Sequence, residues 1–245
     1  MKRSVINNLI RHAMNFLDQH RFRLPPFADW TPAEWCRKGP ECREIVERGL
    51  GWDITDFGRG DFERLGLLLF TLRNGTLANL QKRRGKCYAE KMILVREGQS
   101  APIHFHFRKT EDIINRGGGD LIVRVWNATP SGGLARSDVV LAVDGVATRL
   151  RAGGTLTLRP GQSVCLEDFV YHMFGGRRGT GPVLVGEVSM VNDDHTDNRF
   201  LEPLGRFPAI EEDEPPFRLL CTDYAAYYQP AARARRKTAP RKVKP

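Results

Sequence analysis

"APIHFHFRKTEDIINRGGGDL", residues 101–121, sets His104 and His106 one residue apart and follows them with Lys109, Glu111 and three consecutive glycines. On a β-strand, residues i and i+2 project from the same face, so the two imidazoles converge while Phe105 and Phe107 turn away. Two histidines on one strand face make a bidentate metal grip. Glu111, after a short turn, can add an oxygen ligand from the adjoining strand. Imidazole with carboxylate suits a divalent transition metal that keeps open positions. An isolated H-x-H is more often a pair of surface histidines. Here the chain has only six histidines, and His172 lies in a second strand-like stretch, VYHMF.

The surroundings of this stretch read as strand. LLLFTLR, CYAEKMILVRE, DLIVRVWNA, DVVLAVDG, VATRLR, TLTLRPG, QSVCLED and VLVGEVSMV are short runs rich in aliphatic and β-branched residues, and VDGV offers an Asp-Gly hairpin turn. Closely spaced strands after a helical start predict an antiparallel sandwich or barrel, not alternating β-α units. The triple glycine reads as a tight turn after the ligand strand, since glycine tolerates φ > 0. Upstream, Val5, Ile6, Leu9, Ile10, Ala13, Met14, Phe16 and Leu17 recur at helical spacing, with Ser4 available as N-cap. Thr31-Pro32-Ala33-Glu34 has the form of a capping box opening a second helix, and residues 41–49 add another turn or two. Glu211 to Glu214 read as a solvated acidic patch.

The chain of 245 residues carries a net charge of +9, but seven of those charges lie in AARARRKTAPRKVKP, residues 231–245, leaving an ordinary balance before it. That tail has too little apolar surface to order itself and reads as a solubilising extension, so nucleic acid is not expected as a partner. No apolar run approaches the ~18 residues that span a bilayer, and the N-terminus lacks a signal-peptide pattern. Five widely spaced cysteines without a C-x-x-C pair fit a reducing, cytoplasmic setting.

The framing Gly98, five residues, His104, one, His106, four, Glu111, six, Gly118 resembles the first motif of the cupin superfamily. "EKMILVREGQSAPIHFHFRKTEDIINRGGGDL" (residues 90–121) with "VGEVSMVNDDHTDNRF" (residues 185–200) narrows this, and resembles the D-lyxose isomerase family of cupins over most of residues 1–224. The resemblance implies a mainly β protein, a cupin double-stranded β-helix (jelly-roll barrel) with N-terminal α-helices. Residues 1–60 would be a helical segment packing on the barrel, 61–224 the barrel with a C-terminal extension, and 225–245 a basic tail. It makes His172 the fourth metal ligand. Pro160-Gly161 opens the second motif, but His172 comes later than the common pattern places it.

The implied activity is aldose–ketose isomerisation, D-lyxose to D-xylulose, with D-mannose to D-fructose as a related reaction. A divalent cation, Mn²⁺ foremost and Co²⁺, Zn²⁺, Ni²⁺ or Fe²⁺ as alternatives, would stabilise the charge developing on the sugar oxygens. Lys109 could bind a sugar oxygen; its ordinary reading is a solvent-facing lysine in a turn. Glu187, which interrupts the apolar run VLVGEVSMV, is the candidate base. Burial would raise its pKa and metal charge would lower it. A direct hydride shift is the competing mechanism. Lys91, Gln99, Asp194 and Arg206 are candidate substrate contacts, each with a turn or surface ion-pair alternative. A cupin dioxygenase with the same His/Glu set, or a non-catalytic sugar-binding cupin, are the competing functions. A homodimer is the expected assembly.

Overall fold

Alternating apolar residues from residue 51 onward build two antiparallel sheets in the computed structural model, which describes residues 1–194, 196–205 and 208–230. The strands are β1 (Gly51–Thr55), β2 (Leu67–Asn74), β3 (Tyr88–Val95), β4 (His104–His106), β5 (Glu111–Gly118), β6 (Leu121–Asn127), β7 (Val139–Val143), β8 (Val146–Leu150), β9 (Gly154–Leu158), β10 (Ser163–Leu166), β11 (Val170–Gly176), β12 (Val183–Met190) and β13 (Asn198–Phe200). The larger sheet runs β1-β2-β3-β12-β5-β10-β7-β8 and the smaller β13-β4-β11-β6-β9. Their inner faces meet over a core that includes Leu69, Ile93 and Val185 from the larger sheet and Val123, Val125 and Phe174 from the smaller. This is the cupin jelly-roll barrel. The Asp-Gly turn forms as its chemistry requires: Asp144 and Gly145 take φ of 51° and 79° and join β7 to β8.

Helix α1 (Arg3–Gln19) covers the outer face of the larger sheet. Its buried stripe of Ile6, Leu9, Ile10, Ala13 and Leu17 packs against Trp52, Leu68, Phe70 and Met92. Each large aliphatic side chain buried there contributes about 1.5–3 kcal/mol. The short helix α2 (Pro32–Trp35) carries the predicted capping box, with Glu34 N donating to Thr31 Oγ1 at 3.3 Å and Thr31 N to Glu34 Oε2 at 2.8 Å. Helices α3 (Arg43–Glu47) and α4 (Leu77–Lys82) are surface turns. Among the described residues no helix is long and apolar enough to cross a membrane.

The structure departs from the sequence reading at several points. Strand β1 lies inside the segment read as helical, paired with β2 from Gly51 to Thr55, so the sheet starts before residue 61. Ser4 is not the N-cap of α1. Lys2 occupies that position, and Ser4 donates from both N and Oγ to Asp213, at 2.9 and 2.7 Å. The acidic patch is therefore engaged, not merely solvated: Arg3 also binds Glu212, and Asn7 Nδ2 donates to Glu214. The free N–H of Ser4 at the start of α1 thus donates to the Asp213 carboxylate, and that of Arg3 to the Glu211 carbonyl. Gly117 and Gly118 lie within β5, at φ of 153° and 88°, beside a register shift where β5 carries the extra residue Arg116 against Leu184 and Val185 of β12. A side chain at Gly118 would strike Pro182 O, so close backbone approach explains that glycine as much as the turn does.

At the C-terminal end, α5 (Tyr224–Tyr227) stacks Tyr224 on Trp35 with ring centroids 4.5 Å apart, and Tyr228 Oη donates to Gly39 O at 2.8 Å. Packing thus continues past residue 225, where the tail was expected to begin. The basic run 231–245 lies outside the described residues.

Candidate active site

The three histidines come from one sheet and the carboxylate from the other. His104 on β4 stands directly opposite His172 on β11, and His106 lies two residues along β4 on the same face. Glu111 opens β5 in the facing sheet, so the short turn after β4 crosses the barrel and does not lead to an adjoining strand. One ligand-capable atom from each of His104, His106, Glu111 and His172 falls within 4.8 Å of the others. His106, Glu111 and His172 are buried, and His104 keeps partial exposure to the cavity.

Hydrogen bonds orient two of the rings. His104 Nδ1 lies 2.8 Å from Pro102 O and His172 Nδ1 lies 3.0 Å from Val170 O. Those carbonyls accept only from N–H, which assigns the proton to Nδ1 and leaves each Nε2 as a lone-pair donor toward the cluster. His172 Nε2 then faces Glu111 Oε1 at 3.0 Å, and His106 Nε2 faces the same oxygen at 3.4 Å, neither aligned as a hydrogen bond. A buried carboxylate facing two imidazole nitrogens without hydrogen-bond alignment is an arrangement that a cation placed between them satisfies. The donor set therefore fits a divalent metal ion. Burial, then the neighbouring His172 and His106, hold the His104 pKa well below the usual imidazole range, which keeps it a neutral ligand. Burial and then the Lys109 charge lower His106 likewise. Burial alone would raise Glu111, but the adjacent Lys109 ammonium, and then His106, hold its carboxyl well below the ordinary value.

Beside the cluster runs a row of charged side chains on the inner face of the larger sheet. In β12, Glu187 stands opposite Lys91 of β3, and Ser189, two residues on, stands opposite Glu111 of β5. Lys109 reaches between the carboxylates, its Nζ 2.6 Å from Glu111 Oε2 and 2.9 Å from Glu187 Oε1. Lys91 Nζ donates to Glu187 Oε1 at 3.2 Å and to Asn192 Oδ1 at 2.6 Å. Lys109 is only 3% exposed, so it is not the solvent-facing turn lysine of the ordinary reading. Burial opposes its charge, yet Glu111 and Glu187 raise its pKa above the usual lysine value. Glu187 does face the barrel. Burial pushes its pKa up, but Lys109 and then Lys91 outweigh that and lower it below the ordinary value. Glu187 is thus an ionised carboxylate at neutral pH.

A cavity of about 880 Å³ opens onto this row, lined by His104, His106, Lys109, Glu111, Glu187 and Lys91 among others. Asp194 also lines it. Gln99 does not: it is buried elsewhere, accepting from Arg96 N at 3.0 Å and donating to Phe62 O at 2.6 Å, so both ends of its amide secure a turn. Arg206 lies outside the described residues. Sequence reasoning missed Asn192, Asp53 and Thr71, which line the same cavity. Thr71 had a signal, as a hydroxyl on the inward-facing positions of the apolar run LLLFTLR. Asn192 follows a strand in a polar stretch and had none.

The model of the D-lyxose isomerase family matches residues 1–224. The D-lyxose/D-mannose isomerase of Escherichia coli O157:H7 is 49% identical over 228 residues, covering 93% of this chain and 100% of that protein. The D-lyxose/D-mannose isomerase of Serratia proteamaculans is 50% identical over 228 residues, covering 93% and 99%. Among solved structures, Cellulomonas parahominis L-ribose isomerase with L-ribose superposes with a TM-score of 0.57 at 17% identity, over 86% of this chain and 98% of that one. L-Ribose isomerase of Acinetobacter sp. DL28 gives 0.56 at 17%, with the same coverage. These structures share the barrel fold, and the long, closely related sequences carry the assignment: this chain is a sugar isomerase that belongs to the D-lyxose isomerase family.

Proposed function

We propose that the chain interconverts D-lyxose and D-xylulose, and D-mannose and D-fructose as a related reaction, at the cavity beside His104, His106, Glu111 and His172. The observation that carries this is the buried contact of Lys109 with both Glu111 and Glu187, which sets a charged donor and an ionised base beside a metal-competent cluster. A divalent cation held by the four ligands supplies electrostatic stabilisation to negative charge developing on the sugar oxygens. Manganese suits the mixed nitrogen and oxygen donors. Glu187, ionised and screened from water, takes the proton from one of the two reacting carbons and returns it to the other. Its lowered pKa makes it a weaker base in exchange for full ionisation. The Lys109 ammonium has three N–H donors, of which two point at Glu111 and Glu187. The third is left for a substrate oxygen. Lys91 holds Glu187 from the other side, and Asp194 at the cavity wall can accept from a sugar hydroxyl. Arg206 is retained as a substrate contact on the family resemblance.

Two further readings accompany this one. Tyr88 and Val188 expose apolar surface on the outer face of β3 and β12, which supports a homodimer through that face. All five cysteines are free, which fits a reducing cytoplasm. Anaerobic incubation of the Mn²⁺-loaded protein with D-lyxose tests the activity. Oxygen-independent formation of D-xylulose is expected. Absence of turnover on every pentose and hexose with Mn²⁺ or Co²⁺ would refute the reading and return attention to oxygen-dependent cupin chemistry.

A further inference from the structure

The charged row on the inner face of the larger sheet does not stop at Lys91. Thr71 of β2 stands directly opposite Lys91, as Lys91 stands opposite Glu187, so Glu187, Lys91 and Thr71 form one line across three neighbouring strands. Beyond Thr71 the line reaches Gly51 of β1. Thr71 is 6% exposed and lines the cavity. Its hydroxyl makes no hydrogen bond within the described residues, and its oxygen is not among the fully buried unpaired atoms, so it opens onto the cavity. The neighbouring inward positions on the same strand, Leu67 and Leu69, are core leucines, so a threonine here gives up apolar packing.

The spacing gives this hydroxyl a partner. Two strand separations place Thr71 about 9.6 Å from Glu187 along the row. An open five-carbon chain with its reacting carbons at the base, plus a hydrogen bond at each end, reaches roughly 10 Å. The geometry points to Thr71 as the binding residue for the terminal hydroxyl of the open-chain sugar, two strands across the cavity wall from Glu187. The inference rests on the sugar-isomerase reading above and adds the position of the substrate's far end. The sugar lies across the sheet, its reacting end between Glu187 and the His/Glu cluster, its middle over Lys91 and its last hydroxyl on Thr71. The carbon faces of the sugar then meet the apolar wall formed by Leu69 and Ile93, which also line the cavity.

Calorimetric binding of unreactive ligands tests this without turnover. The probes are the five-carbon alditol of D-lyxose and its counterpart lacking the terminal hydroxyl, titrated into metal-loaded wild-type, Thr71→Val and Thr71→Ser proteins. Valine keeps the shape and removes the hydroxyl. It is expected to weaken the full alditol about fivefold to tenfold, the worth of one hydrogen bond, and to leave the deoxy ligand within about twofold. Thr71→Ser is expected to retain wild-type affinity for both. Equal weakening of the two ligands marks a packing role and overturns the assignment, as does no weakening of either. If the wild-type protein isomerises sugars but the two ligands respond alike, the subsite is wrong and the activity stands. If it neither isomerises nor binds any sugar-like ligand, the activity itself fails and the subsite with it.

Discussion

The Lys109 ammonium lies 2.9 Å from Glu187 Oε1 inside the barrel, and the same nitrogen lies 2.6 Å from Glu111 Oε2. One buried cation therefore holds two carboxylates that would otherwise repel, one in the candidate ligand set and one in the candidate base position. Lys109→Met leaves both uncompensated, so the variant should lose about 3–5 kcal/mol of stability. Turnover should fall by about 10²-fold or more as the donor to the substrate oxygen disappears. The double variant Lys109→Met/Glu187→Gln should recover part of the stability and none of the activity. Denaturant melts read the first effect, and a double variant no more stable than the single one would argue against the shared cation.

Glu187→Gln separates binding from chemistry. Glutamine keeps the shape and a hydrogen-bonding oxygen toward Lys91 and Lys109, but it cannot accept the substrate proton. Metal content by elemental analysis should match wild type, while turnover should drop about 10²–10⁴-fold, the usual span for losing a positioned base. Solvent-deuterium incorporation into the product reports on the competing hydride shift. A Gln variant with near-normal turnover and no deuterium exchange would remove Glu187 from the reaction.

His104→Ala and His172→Ala should each strip the ion, because each removes a neutral Nε2 aimed into the cluster. Metal added to wild-type protein at about a hundred times its dissociation constant should raise stability by about 2.7 kcal/mol, through binding to the folded state alone. Chelation should reverse the shift. A melting temperature indifferent to Mn²⁺, Co²⁺ and chelator would contradict a metal site at these four residues.

The sequence made the barrel legible because strand alternation and turn residues are local properties. The runs from LLLFTLR to VLVGEVSMV became strands, and the Asp144-Gly145 turn formed where its chemistry allowed. Strand β1 escaped because GWDIT is short and follows a helical stretch, although Trp52 and Ile54 alternate with Asp53 and Thr55. The i, i+2 histidines were legible for the same local reason. That Glu111 arrives from the facing sheet was not, since no spacing rule says which sheet a strand joins after a turn. Gln99 illustrates a further limit. A polar residue next to a ligand motif looks like a contact, yet its amide is consumed by Arg96 N and Phe62 O. Contacts between Arg3 and residues 209 and 220 positions away lay beyond any sequence pattern.

Those distant contacts carry the last prediction. Arg3 is 1% exposed and binds Glu212 Oε2 through Nε at 2.9 Å and Asp223 Oδ2 through Nη1 at 3.0 Å, pinning α1 to the C-terminal segment. The Arg3 hydrogen bond lowers Glu212 below its ordinary pKa of 4.5, against the opposing effect of burial. Hydrogen bonds from Ser4 lower Asp213 below 3.8. A carboxylate with a lowered pKa in the folded state contributes stability that is complete above its unfolded pKa and is lost as pH falls through the folded value. The melting temperature of the wild-type protein should therefore hold near neutrality and decline once pH drops below about 4.5. Arg3→Gln should lower stability at neutral pH by about 1–3 kcal/mol, the range for hydrogen bonds to charged groups, with the exposed Glu212 side contributing least. The variant should also show a shallower acid decline, because Glu212 no longer has a lowered pKa to lose. Fluorimetric melts of both proteins across this pH range provide the comparison, and parallel curves would show that the clamp contributes nothing to the acid response.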